Sequence, residues 1–185
     1  MKQQLSRVLA LAVMVGSGSA HAGVFSALQR SEAALKHAAS WHAVMQMPGG
    51  KTLTMDYEAP NRWRVQPAPN ITEIIVGNDV YMDMAGHEMK LPAAYGAAIA
   101  RTVHIHLFDA AQQAQVRRTL QDLGVQKLDG QPVHVYRYVL KSITQTWYIG
   151  AHDLPVRAVL SGAGHTTVVQ YSRFNVPVSI QVPAA

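Results

Sequence analysis

The chain has 185 residues, 49% of them hydrophobic, a formal net charge of +5 and no cysteine. That length and apolar content suffice for one domain with a substantial core. The missing cysteines exclude disulfides, thiol catalysis, cysteine-held zinc or iron–sulfur centres and lipid attachment at a lipobox cysteine. The basic residues are scattered apart from Arg117-Arg118, without the aromatic-basic stripe of a nucleic-acid binder.

Residues 1–22 read as a secretory signal peptide. Lys2 and Arg7 make a basic start, residues 9–15 are apolar, and small residues lead to Ala20-His21-Ala22, an A-x-A cleavage pattern. The apolar run is short of the roughly 20 residues a membrane span needs. Gly23 is then the expected mature N-terminus, and residues 23–185 one domain in a bacterial periplasm, its core held without staples. The segment carries two of the sixteen basic residues and none of the eleven acidic ones, so a charge of +3 remains. That permits weak, transient contact with anionic lipid headgroups.

Residues 24–39 have helical periodicity, with Phe25, Leu28, Leu35 and several alanines on one face and Gln29, Arg30, Glu32 and Lys36 elsewhere. At about 15 residues such a helix is marginal alone and must dock on something. Residues 41–47 alternate Trp41, Ala43, Met45 and Met47 against His42, Val44 and Gln46. After the turn Pro48-Gly49-Gly50, residues 52–58 alternate Leu53, Met55 and Tyr57 against Thr54, Asp56 and Glu58. Pro60-Asn61 marks a bend, residues 62–66 resume as a strand with Trp63 and Val65 on one side, and residues 67–70 form a further break. Residues 72–91 read as a three-stranded meander. Gly77-Asn78-Asp79 and Ala85-Gly86 are its turns, and Val80, Met82 and Met84 share one face of its middle strand.

After Pro92 the small, apolar residues 93–100 suggest a short helix and residues 102–108 a strand carrying His104 and His106. Asp109 can cap a helix running to about Leu123, with Gly124 placed to end it. The last third is β again. Asp129-Gly130 is a strong turn between residues 125–128 and 133–140, and residues 143–149 alternate Ile143, Gln145, Trp147 and Ile149 against Thr144, Thr146 and Tyr148. Two more strands follow around residues 161–164, and a tail with two prolines forms an edge or a wrapping extension. Nine to eleven strands and two or three helices with tight links must curl, close or be covered. The expected fold is α+β, a strongly curved antiparallel half-barrel sheet with helices covering the concave face. A closed barrel with peripheral helices is the alternative.

Two stretches carry a family resemblance: Tyr57-Glu58-Ala59-Pro60-Asn61-Arg62-Trp63-Arg64-Val65, and Glu73-Ile74-Ile75-Val76-Gly77-Asn78-Asp79-Val80-Tyr81. The closing words Asp153-Leu154-Pro155-Val156-Arg157 and Tyr171-Ser172-Arg173-Phe174-Asn175 add to it. In this order the chain resembles the LolA/LolB-like superfamily of lipoprotein carriers, together with the LppX/LprG-like lipid-binding proteins, over about residues 24–183. The resemblance implies a half-barrel wrapped around a helical lid, an apolar cavity, and an acyl chain carried through water. Two features depart from it. The carriers usually have a lid-holding arginine just before the Pro-Asn pair, where this chain has Ala59. LppX/LprG-like members are generally lipidated at a cysteine, and this chain has none.

All six methionines beyond residue 22 lie between residues 45 and 89. Methionine is unbranched and polarizable, suited to moulding around varied apolar ligands. Ordinary core filling and soft-metal binding beside His87 are the other uses. His104 and His106 lack a third zinc ligand beyond Asp109. Ser161 lies outside any G-x-S-x-G context, and Asp56 and Glu58 share a face that alternation makes solvated, so no catalytic residue emerges. Trp41, Trp63 and Trp147 fall at apolar-side positions, as core anchors or ligand stackers. The expected function is therefore a periplasmic, non-enzymatic, monomeric carrier or sensor of an acyl chain, lipid or acylated protein. No cofactor or metal is expected, and the cavity lining is assigned to Trp41, Met45, Met47, Met55, Trp63, Val65, Val80, Met82 and Met84. The alternatives are a filled-core interaction module and a Met/His copper binder.

Overall fold

A computed structural model describes residues 18–94 and 109–183. Eleven antiparallel strands form one sheet, in chain order β1 (Ser40–Gln46), β2 (Thr52–Glu58), β3 (Arg62–Ala68), β4 (Ile71–Val76), β5 (Asp79–Met84), β6 (His87–Lys90), β7 (Gln121–Leu128), β8 (Gln131–Leu140), β9 (Ile143–Ile149), β10 (Pro155–Gly162) and β11 (His165–Ser172). Their spatial order is β6-β5-β4-β3-β2-β1-β11-β10-β9-β8-β7. Among the described residues only the β1–β11 pair joins strands distant in sequence, and β6 and β7 lie at opposite ends of the order without pairing to each other, so the sheet is an open half-barrel rather than a closed barrel. Two helices are described, α1 (Gly18–His37) and α2 (Ala110–Thr119).

The period-two pattern decides which face is covered. Trp41, Tyr57 and Trp63 are aligned across β1, β2 and β3, and Ala43, Met55 and Val65 form the next row. The aromatic row packs tightly, with ring centroids 5.5 Å apart for Trp41–Tyr57 and 4.7 Å for Tyr57–Trp63. The C-terminal half of α1 supplies Leu35 and Ala38 to this cluster. Its N-terminal half supplies Phe25, Ala27 and Leu28 to a second cluster with Val116 and Leu120 at α2 and Tyr136, Tyr138 and Leu140 of β8. The long helix thus ties the middle of the sheet to its β8 side on the concave face. Arg117 stacks over the Phe25 ring at 3.7 Å, joining the two helices.

Three expectations are corrected. Asp109 does cap α2, in a capping box with Gln112, but the helix ends at Thr119 and Gln121–Leu128 is strand. Gly124 is not a helix terminator. At φ +74° it sits where the β7–β8 register shifts, its N–H donated to the Asp122 carboxylate at 2.8 Å, and a β-bulge is a natural place for a glycine in that region. Of the break expected at residues 67–70, residues 69–70 do form a turn, but Pro67 and Ala68 continue β3, with Pro67 accommodated at a register irregularity opposite β4. The face carrying Asp56 and Glu58 is covered rather than solvated. The tail crosses it: Ile180 donates its N–H to Glu58 Oε2 at 3.0 Å and accepts from Arg62 at 3.1 Å, while Arg64 donates to the Ser179 carbonyl. Ile180 is fully buried there. His104 and His106 lie outside the described residues.

Candidate functional site

The described residues do not fill the concave face throughout. An open cavity of about 460 Å³ lies over β1, β9, β10 and β11, lined mainly by Met45, Trp147, Leu160, Val169 and Tyr171, with Ala158 in its floor. Register explains the composition. Trp147, Ala158, Val169 and Met45 follow one another across β9, β10, β11 and β1, and all point to the helix-bearing face. Trp147 and Tyr171 stack at 6.3 Å between ring centroids, forming an aromatic wall.

The polar groups near this wall are few and mostly paired. The Tyr138 hydroxyl donates to Gln145 Oε1 at 3.0 Å, and Trp147 Nε1 reaches the same oxygen at 3.3 Å. Burial holds the Tyr138 and Tyr171 hydroxyls well above the usual phenol range, so both stay neutral donors. Glu32 of α1 is the nearby acid. Half-burial pushes its carboxyl up to about 7 against a partial offset from Lys36, and its charge is felt at Tyr138. Glu73 on β4 is likewise raised by burial. The wall is therefore apolar, with hydrogen-bonding groups at one side and no group of three His, Cys, Asp or Glu residues placed to hold a metal among the described residues.

The nine residues assigned from the sequence separate into four groups. Met45 lines the cavity. Trp41, Trp63, Val65 and Val80 are buried in the first core cluster and Met55 packs against it; they support the face on which the cavity opens. Met47 lies just past the end of β1, before the turn at Pro48–Gly50. Met82 and Met84 share the face of Val80, but on β5, near the sheet's outer edge, and Met84 is exposed. Trp147, Leu160, Val169 and Tyr171 were not assigned to the lining. The alternation in residues 143–149 was the available signal for Trp147, and the two strands expected around residues 161–164 were that for Leu160, Val169 and Tyr171. What it lacked was the β1–β11 pairing, which sets these strands beside Met45.

No family model matches the chain, and no curated protein does. Solved structures do. Mycobacterium tuberculosis lipoprotein LppX superposes with a TM-score of 0.67 at 15% identity, covering 86% of this chain and 99% of its own. The chain has the LolA/LolB-like fold. LprF from Mycobacterium bovis matches with a TM-score of 0.55 at 16% identity, over 89% of this chain and 98% of that one. MucB, in its complex with MucA from Pseudomonas aeruginosa, matches with a TM-score of 0.55 at 16% identity, over 83% of this chain and 56% of that one. No described helix is long and apolar enough to cross a membrane.

Proposed function

We propose that this chain is a periplasmic, non-enzymatic carrier or sensor that takes an acyl chain, free or attached to a lipid or protein, into the cavity on its concave face. The observation that carries the reading is the cavity itself. Its volume of about 460 Å³ falls within the range of about 300–1,000 Å³ common for small-molecule sites, and its walls are the apolar side chains of four adjacent strands. Each methylene moved from water contributes about 0.8 kcal/mol. A chain of about 16 carbons, fully buried, gains at most roughly 13 kcal/mol, which lies within the association cost of about 4–15 kcal/mol. Each carbon fewer lowers the gain, so the site favours long chains over short ones without any specific polar contact. His165 and Thr167, which also line the cavity, offer hydrogen bonds for a polar head.

The test is native mass spectrometry of the protein expressed in a periplasm, followed by organic extraction. A bound mass of lipid size supports the reading and names the cargo class. A clean apo mass, repeated after incubation with membranes, overturns it and leaves the surface and edge strands as the interacting parts. Partner capture from the same sample then decides for the interaction module. The complex formed by MucB, a protein of the same fold, favours testing it.

A further inference from the structure

At the sheet edge farthest from β7, the β5–β6 hairpin gathers an unusual donor set. Ala85 and Gly86 both have positive φ, +54° and +88°, the backbone of a two-residue type I′ turn, and Gly86 N–H is held by the Asp83 carboxylate at 2.7 Å. That turn fixes the register, which sets Met82 opposite Met89 and Met84 opposite His87. Residues directly opposite in an antiparallel pair point to the same side. Residues two apart on one strand do so as well. Three thioethers and one imidazole thus share one face of one hairpin, on four mutually adjacent positions. On the other face, Lys90 pairs with Asp79 at 3.1 Å and lies over the Tyr81 ring at 5.4 Å, which braces the two strands.

We propose that this hairpin is a binding site for a soft monovalent cation, Cu(I) in first place, held by Met82, Met84, Met89 and His87. The donor chemistry selects the ion. A thioether is a neutral, polarizable ligand that gains little from hard cations such as Mg²⁺ or Ca²⁺ and much from Cu(I), while imidazole serves as the stronger donor. The accessibility is right as well. Met84 and Met89 are 39% and 41% exposed and His87 is exposed, so an ion reaches them without opening the core. The three rotatable bonds of each methionine let the sulfurs converge. Glu73, opposite Met82 on β4, brings a carboxylate to the same face, suited to balancing a single positive charge. A purely core-filling role explains Met82, which is half-buried, but not two exposed methionines beside a histidine. The site lies on β5 and β6 and the lipid cavity on β1 and β9–β11, so either can fail without the other.

The test is an anaerobic titration of the purified full chain with Cu(I) against the chromophoric chelator bicinchoninate. The expected result is transfer of one Cu(I) per chain from the chelator. The triple variant M82L/M84L/M89L should take none, since Leu for Met conserves volume. His87→Gln should weaken binding at least tenfold, while His152→Gln, at an exposed histidine outside the hairpin, should leave it unchanged. Should the triple variant fold poorly, Ag(I) added to the wild type with labelled methionine methyl groups gives the second readout, and three of the resonances should shift. The proposal is overturned if the wild type leaves all Cu(I) with the chelator, or if His87→Gln binds as well as wild type. Ag(I) that moves no methyl of this hairpin overturns it equally.

Discussion

Glu32 shows what a single side chain does when a helix face is wider than its apolar residues suggest. Helical spacing put it outside the Phe25/Leu28/Leu35 stripe, yet α1 lies so deep in the half-barrel that its flank is half-buried too. Desolvation lifts the carboxyl to about 7, from about 4.5 when the chain is unfolded. Between those values the folded state binds the proton and the unfolded state does not, so stability from this group is full below pH 4.5 and is lost as pH rises through 7. Glu32→Gln should therefore flatten the pH dependence of the melting temperature between pH 5 and 8 and raise it relative to wild type above pH 7. An equal slope in both proteins across that interval would count against the assignment. Alternation located the aromatic row of Trp41, Tyr57 and Trp63 correctly, since a period of two leaves no doubt about which residues share a face. It carries no information about how deep a helix settles against that face, and the state of Glu32 depends on that depth.

Among elements, the C-terminal tail is the one whose role the chain order concealed most. Its prolines, Pro177 and Pro183, rule out a central strand, and although Val178, Ile180 and Val182 alternate with Ser179 and Gln181 between them, that alternation does not say what the tail packs on. Its function is set by partners far away in sequence: Glu58 and Arg62, which face each other across β2 and β3 and clamp the two backbone groups of Ile180. The tail thereby shields the convex side of the same strands whose concave side carries the aromatic row. Ile180→Ala should cost about 2–5 kcal/mol, the range for a fully buried Ile or Leu truncation, measured as a lower urea midpoint with an unchanged slope. A loss under 0.5 kcal/mol would mean that the tail is docked but contributes little. The displaced end of α2 is the opposite case. The capping box at Asp109 was legible because caps are local, whereas the exchange of a helical last turn for a bulged strand came from pairing with β8, which local propensity cannot register.

For the whole molecule, the decisive feature is an open sheet covered unevenly. The described helices cover the concave face over β8 and over β1–β3, and the cavity opens between these two packed regions, at the seam where β1 meets β11. A ligand site at such a seam is blocked by bulk without disturbing either core. Leu160, only partly buried at the cavity wall, is the position to fill. Leu160→Trp should leave the melting temperature within a few degrees of wild type and cut the amount of co-purified lipid at least fivefold, read by mass spectrometry after extraction. Undiminished lipid in a folded variant would place the cargo elsewhere on the chain.

The sequence by itself determined the strands, most turns, the inward-facing residues and the α+β half-barrel, because each depends on interactions between neighbours: alternation at a period of two, positive φ at Asp129-Gly130 and Ala85-Gly86, a side-chain cap at Asp109. The tertiary structure alone decided where the face stays open. The β1–β11 pairing joins residues about 130 positions apart, and this long-range closure puts Trp147, Leu160 and Tyr171 beside Met45. The same distance effect moved Met82 and Met84 away from the cavity, to the edge hairpin with His87 and Met89. Shared facing is a local property of a strand, whereas proximity across a sheet depends on the order in which the strands pair.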